Sequence, residues 1–440
     1  GINLSASSNI QIQDNRIGSE ADGTTSLGNQ LDGVHLENST SNLIYRNLIQ
    51  GSGHVGVRIV DSSDNTVQAG NIGGSHSDGV LIVQSAGTAS GNTIETTIGE
   101  GFTGLSLPNG GNGVDIVGAS NNEINSNLLN NRLAGLEING STAVGNDFDG
   151  GLAYNNGKLG ISIGDNIGTD HPNHQVNTGG GAGGGGPMLP DDGLNHPLIT
   201  SASFDGTHTT ITGTYLGDGN SQVSVEVYES NGADPSGFGE GERSVDSEDV
   251  TVPSDGNASF TLDGEEPPLY GANTVYSAIV ERGTGSGGTD ISEFSNAVKV
   301  VGASISGSVF NDVNGNGKQD PGEKGLAKQL VFVDRKGTGV FDDDIDPSAK
   351  TNSNGNFTLF GPPSGAIHLV TAVPSGFTQT LPNPKKPFYK INVAPLQHIS
   401  GIIFGEEKAV AHIATIANPF NSTDSLDSKK RILDSLLSLI

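Results

Sequence analysis

The chain has 440 residues, 67 of them Gly, with no Cys, no Trp and a formal net charge of −28. The absence of Cys excludes disulfides and thiolate metal sites, and the surplus of acids disfavours contact with a phosphate backbone. No run of about 18 apolar residues occurs, so no membrane-spanning helix is expected. Composition rich in Gly, Ser, Thr, Asn and Asp favours turns and short strands. It also suits an extracellular bacterial setting, where calcium and oxygen ligands meet. The sequence begins at Gly1 inside a repeating pattern, and is expected to be a piece of a longer protein.

A Gly-apolar-x-apolar tetrad recurs at Gly1, Gly33, Gly56, Gly79, Gly113, Gly135 and Gly160, spaced 32, 23, 23, 34, 22 and 25 residues apart. Asn-x-apolar pieces follow, among them Asn65-Thr66-Val67, Asn92-Thr93-Ile94 and Asn122-Glu123-Ile124. Apolar residues at i and i+2 mark short strands with one inward face. Asn and Gly suit the left-handed backbone of sharp corners. A period near 23 residues is too short for paired helices and matches one coil of a parallel β-helix. The two long spacings hold insertions at 18–28 and 99–109, expected as loops on one side. The GVxI tetrads, the NxI pieces and the stretch NRIGSEADGTTSLGNQLDGV resemble the right-handed parallel β-helix repeats of large secreted bacterial proteins. The resemblance implies the fold over 1–178 but not a function, because this fold carries both enzymes and adhesins.

The middle residue of each tetrad should face outward, giving a column Asn3, His35, Arg58, Leu81, Asp115, Glu137 and Ser162. Asp115 and Glu137 would be neighbours about 4.8 Å apart, a pair that can serve glycoside hydrolysis. Leu81 interrupts the column and bases are few, so a solvated face is the expected reading, with no catalytic residue assigned. His171-x-x-His174 is read as incidental.

Residues 179–194 form a Gly-rich linker. Period-2 alternation resumes at Thr209–Tyr215, Gln222–Tyr228, Ala258–Leu262 and Thr274–Val280, so 195–301 reads as a β-sandwich. SNGADPSGFGEGE and TDISEFSNAV resemble immunoglobulin-like modules of bacterial surface proteins. Further strands follow at Ile305–Phe310, Gln329–Val333, Phe357–Phe360, Ile367–Ala372 and Ile391–Val393, placing a third β-rich module over 302–406. The tail 407–440 carries Leu426, Ile432, Leu433, Leu436, Leu437 and Ile440 at helical spacing, and is expected to hold one short amphipathic helix. The expected fold class is all-β: a parallel β-helix, two Ig-like sandwiches and that helix.

The sharpest chemical motif is Asp312 to Glu323. Asp312, Asn314, Asn316, Asp320 and Glu323 occupy positions 1, 3, 5, 9 and 12 of a calcium loop, with Gly317 at position 6 and the Lys318 carbonyl at 7. Oxygen donors without nitrogen or sulfur select Ca2+. A bare Asn/Gly turn held by side-chain hydrogen bonds is the alternative. A second, degraded loop starts at Asp334, with Gly339 and Asp342 at positions 6 and 9. Lys336 stands at position 3 and Ile345 at position 12, where Asp344 or Asp346 can substitute after a shift; Asp334, Asp342 and Asp344 are the expected ligands. The stretch GSVFNDVNGNGKQDPGEKGLAKQLVFVD resembles the SdrD B-like repeat of bacterial surface adhesins. That resemblance implies an Ig-like calcium module whose ions stiffen a stalk.

The expectation is an extracellular or cell-surface structural or adhesive protein, with Ca2+ as its cofactor. Its expected partners are carbohydrate or a matrix or cell-surface protein, and no nucleic acid. The rival is a carbohydrate-active lyase or hydrolase working on the β-helix face. Charge divides unevenly: 1–178 carries 17 acids and 5 bases, 187–301 carries 19 and 3, and 302–406 carries 9 of each. The calcium reading therefore rests on spacing rather than on bulk acidity.

Overall fold

The computed structural model describes residues 1–20, 27–101, 103–164, 190–264, 266–285 and 287–408. The Gly-rich stretch, His171 and His174, and the expected helix near the C-terminus lie outside the described residues. Two compact units result: Gly1–Ile305 with Leu359–Ile367 and Ile391–Ile399, and the remainder from Ser306.

In the first unit every tetrad is a rung. Ile2–Ser5, Val34–Glu37, Val57–Val60, Val80–Val83, Val114–Val117, Leu136–Asn139 and Ile161–Ile163 pair in that order in one parallel sheet. The register sets each tetrad on the next, as in Val57↔Val80 and Val114↔Leu136. The inward residues, such as Val34, Leu36, Ile59, Ile82, Ile116 and Ile138, are fully buried. Each contributes about 1.5–3 kcal/mol of burial. The tetrad glycine is required by close approach. A Cβ on Gly56 would meet the Gly79 carbonyl oxygen at 2.4 Å, and one on Gly113 the Gly135 oxygen at 2.6 Å.

The Asn-x-apolar pieces form the second wall. Asn42, Asn65, Asn92, Asn122 and Asn146 are buried and stack as a ladder. Each Nδ2 donates to the Oδ1 of the next rung at 2.9–3.0 Å. The left-handed corner expected of these asparagines belongs instead to the residue before each: Ser41, Asp64, Gly91, Asn121 and Gly145 all have φ between 54° and 71°.

The sandwich has Leu198–Phe204, Thr209–Leu216, Asn257–Gly264 and Val301–Gly302 in one sheet. Gln222–Asn231, Arg243–Thr251, Thr274–Gly283, Thr289–Ile291 and Val298–Lys299 form the other. Its central strand serves two cores. Val223, Val225 and Val227 pack inside the sandwich, whereas Tyr228 joins Ile279, Ile291 and Phe294 in the core of the β-helix. The two regions, expected as separate modules, therefore meet in the apolar core of the β-helix, while the sandwich keeps a core of its own.

In the remainder of the chain, Ser304–Asn311, Asn356–Phe360, Phe377–Leu381 and His398–Lys408 form one four-stranded sheet. Leu330–Val333, Ser348–Lys350, Gly365–Thr371 and Phe388–Val393 form another. Val309, Phe310, Val331, Phe332, Leu369 and Phe404 are among the buried apolar residues of these strands.

Candidate metal centre

The first acidic loop leaves the strand Ser304–Asn311, whose end is fixed by the buried ring of Phe310. Asp312 is fully buried, and its N–H donates to the Glu406 carbonyl at 3.0 Å. Gly315 and Gly317 sit at φ 67° and 73°, where a side chain would be strained. The chain therefore curls around the Asp312 carboxylate. Oδ1 accepts from the Asn316 N–H at 3.1 Å, and Oδ2 from the Gly317 N–H at 2.7 Å. Across the loop, Glu323 clamps two backbone groups: Oε1 accepts from Val313 N–H at 2.8 Å and Oε2 from Asp320 N–H at 2.9 Å.

The third carboxylate of the loop is Asp320. The amides of Asn314 and Asn316 both donate to its Oδ2, at 2.9 and 2.7 Å. Those two hydrogen bonds hold its pKa below the usual carboxylate range. Asn316 Oδ1 accepts from the Lys318 N–H at 2.8 Å. The six residues at positions 1, 3, 5, 7, 9 and 12 are thus held on one ring. The donor set fits a hard cation: three carboxylates, and two amides that present oxygen when turned over. Sequence spacing missed one neighbour. The Glu407 carboxylate stands beside Gly315, where an added Cβ would come within 2.7 Å of Oε2. Glu407 arrives from a strand far along the chain, so no local pattern marks it.

The second loop repeats the turn of the first, with its clamp one residue later. Asp334 Oδ1 accepts from Thr338 N–H at 3.1 Å and Oδ2 from Gly339 N–H at 2.7 Å. The clamp of position 12 falls to Asp346, which accepts from Arg335 N–H and Asp342 N–H, both at 3.0 Å. Asp344 instead groups with Asp342 and Asp343, their carboxylate oxygens lying within 4.8 Å of one another. At position 3, Lys336 Nζ donates to Asp342 Oδ2 at 2.5 Å. Its ammonium lowers the Asp342 pKa. A side-chain cation therefore sits on Asp342 where the first loop has only neutral amides on Asp320.

The outward column forms in the expected register, from Asn3↔His35 through Asp115↔Glu137 to Glu137↔Ser162. Its last three members are not a solvated face: Asp115, Glu137 and Ser162 are 8%, 6% and 7% exposed. Burial, with Asp78 nearby, raises the Asp115 pKa to about 7. Burial raises that of Glu137 to about 8, opposed by a hydrogen bond from Ser162. An acid–base pair needs environments that push two pKa values apart; here both rise together.

Residues 1–106 match the family model of the right-handed β-helix region. No curated protein sequence matches the chain. Among solved structures, it is similar to the group B streptococcus pilus 2b backbone protein. The identity is 12% over 49% of this chain and 99% of that one, at a TM-score of 0.23. Domains D2 and D3 of the major pilin SpaD from Corynebacterium diphtheriae align at 12% identity over 49% of this chain and 98% of that one, at a TM-score of 0.24. BcpA, the major pilin subunit of Bacillus cereus, aligns at 11% identity over 48% and 71%, at a TM-score of 0.20. Scores this low carry no argument about fold or function. Among the described residues no helix is long and apolar enough to cross a membrane.

Proposed function

We propose that the chain is an extracellular or cell-surface structural protein, adhesive toward carbohydrate or a matrix or cell-surface protein, with Ca2+ stiffening the β-rich region around 302–406. The observation that carries the calcium reading is the ring of Asp312, Asn314, Asn316, Asp320 and Glu323, closed on its own backbone. These residues, with the Lys318 carbonyl, would hold the ion. Ca2+ would neutralise the convergent carboxylates and cross-link the two ends of the loop.

An ion that binds only the folded state stabilises it by mass action, by about 2.7 kcal/mol at a hundredfold excess over Kd. Chelation is therefore expected to lower the melting temperature of the transition containing 306–408. Asp312→Ala or Glu323→Ala should remove the calcium dependence. Identical melting of the wild type with calcium and with chelator would refute the reading.

The rival reading, a carbohydrate-active enzyme, draws on the adjacency of Asp115 and Glu137. It predicts that the wild type depolymerises an acidic polysaccharide and that Glu137→Gln abolishes this activity. Burial raises both pKa values, to about 7 for Asp115 and about 8 for Glu137, so neither carboxylate is held fully ionised at pH 7 as a nucleophile or base, which is why the structural reading is preferred.

A further inference from the structure

The end of a solenoid is a problem in hydrogen bonding. Left uncovered, the last strands, Leu152–Tyr154 and Ile161–Ile163, would expose N–H groups that a further coil would bind, and the core beneath them would open to water. Both asparagine ladders also run out here. The first ends at Asn146. The second runs from Asn109 to Asn131 at 2.9 Å and from Asn131 to Asn156 at 3.0 Å.

Carboxylates from residues 190–301 meet each of these groups. Asp191 Oδ1 accepts from the Asn146 N–H at 3.3 Å and its Nδ2 at 3.5 Å. Glu240 accepts from Asn155 N–H at Oε2, 3.0 Å, and from Asn156 N–H at Oε1, 3.2 Å. Asp290 Oδ1 accepts from Gly145 N–H at 2.8 Å, and Glu293 Oε1 from Ile163 N–H at 2.9 Å. Ala153 and Gly241 exchange a pair of main-chain hydrogen bonds at 3.0 and 2.8 Å. Tyr228 and Phe294, edge to face at 5.3 Å, close the core.

We propose that residues 190–301 are the terminal cap of the β-helix, whose carboxylates end both ladders and keep the edge from pairing with the edge of a second copy. The chemistry of the last rung explains the choice of residue. An inner Asn accepts at Oδ1 and donates onward at Nδ2. A terminal rung has nothing to donate to, so an acceptor suffices. The two sites differ in a testable way. Asp191 uses one oxygen for both donors, and its Oδ2 has no partner; an Asn there reproduces the inner rungs. Glu240 uses one oxygen for each donor, so a Gln must turn its amide against one of the two N–H groups, that of Asn155 or that of Asn156.

The test is hydrogen exchange and solution mass of the full chain over a range of concentrations. Glu240→Leu combined with Glu293→Leu should speed exchange across 152–163 by about tenfold or more and produce dimers and larger species as concentration rises. Exchange like the wild type, or faster exchange in a chain that stays monomeric, overturns the proposal. Should the double variant not fold, Glu240→Gln carries the test: faster exchange at Asn155 or Asn156 is expected, and unchanged exchange at both overturns it. Asp191→Asn should keep wild-type exchange and mass; lost protection at Asn146 overturns the ladder argument.

Discussion

Lys336 differs in kind from its counterpart in an otherwise matching loop. In the first loop, position 3 is Asn314, a neutral amide on Asp320; in the second, an ammonium occupies the equivalent place on Asp342. A divalent ion arriving at the second loop would meet that fixed positive charge and must displace it. The wild type is therefore expected to bind one ion, at the first loop. Lys336→Asn should add a second, read as calorimetric stoichiometry rising from one to two. An unchanged stoichiometry would show that Lys336 is not what closes the second loop. The spacing of Asp334, Gly339 and Asp342 was legible in the sequence. The clamp was legible only in part: with Ile345 at position 12, Asp344 and Asp346 both stood as substitutes, and the fold gives the place to Asp346, which accepts from the two equivalent N–H groups.

Along each element, the asparagine ladder supports the wall beside the apolar rungs. Asn92 Oδ1 accepts from the Asn65 N–H and Nδ2 at 3.1 and 3.0 Å, and its Nδ2 donates to Ser62 O and Asn122 Oδ1 at 2.9 and 3.0 Å. Asn92→Ala would strand several buried groups, at about 1–3 kcal/mol each where no water enters. We expect it to lower unfolding free energy by about 3 kcal/mol in denaturant titration. Ser63→Ala, on the same corner but partly exposed, should cost well under 1 kcal/mol. The period of the Asn-x-apolar pieces revealed these positions. Their role was misassigned because a left-handed corner and a ladder rung both favour Asn, and sit one residue apart.

For the whole molecule, the acidity has a consequence for pH. Burial raises the pKa of Glu137, Glu281 and Glu293 to about 8, and of Asp115 and Glu240 to about 7. A group whose pKa is raised on folding stabilises the fold fully below its unfolded value, near 4, and that stability is lost as pH climbs through the folded value. The unit containing the β-helix should thus melt higher at pH 5.5 than at pH 8.5, and Glu137→Gln should flatten the difference. Asp61, whose pKa backbone and side-chain donors from Ser85 lower to about 2, has the opposite dependence but only below pH 4. Equal melting at the two pH values would count against ionisation of these buried acids within the fold.

The sequence by itself determined the periodic part of this protein: the coil length, the tetrad register, the inward residues, the alternating strands of the sandwich and the curled loop around Gly317. Each depends on residues a few positions apart, where spacing and geometry are one statement. What those pieces meet depends on how the chain folds back on itself. That folding brought Glu407 beside Gly315, buried Asp115 and Glu137 on a face that looked solvated, and turned carboxylates of the second region onto the open end of the first. Residues 187–301 carry 19 acids against 3 bases. Part of that excess supplies acceptors to N–H groups some 45 to 145 residues away. Hydrogen bonds of that reach leave no period in a sequence, because either partner can move along the chain while the contact stays the same.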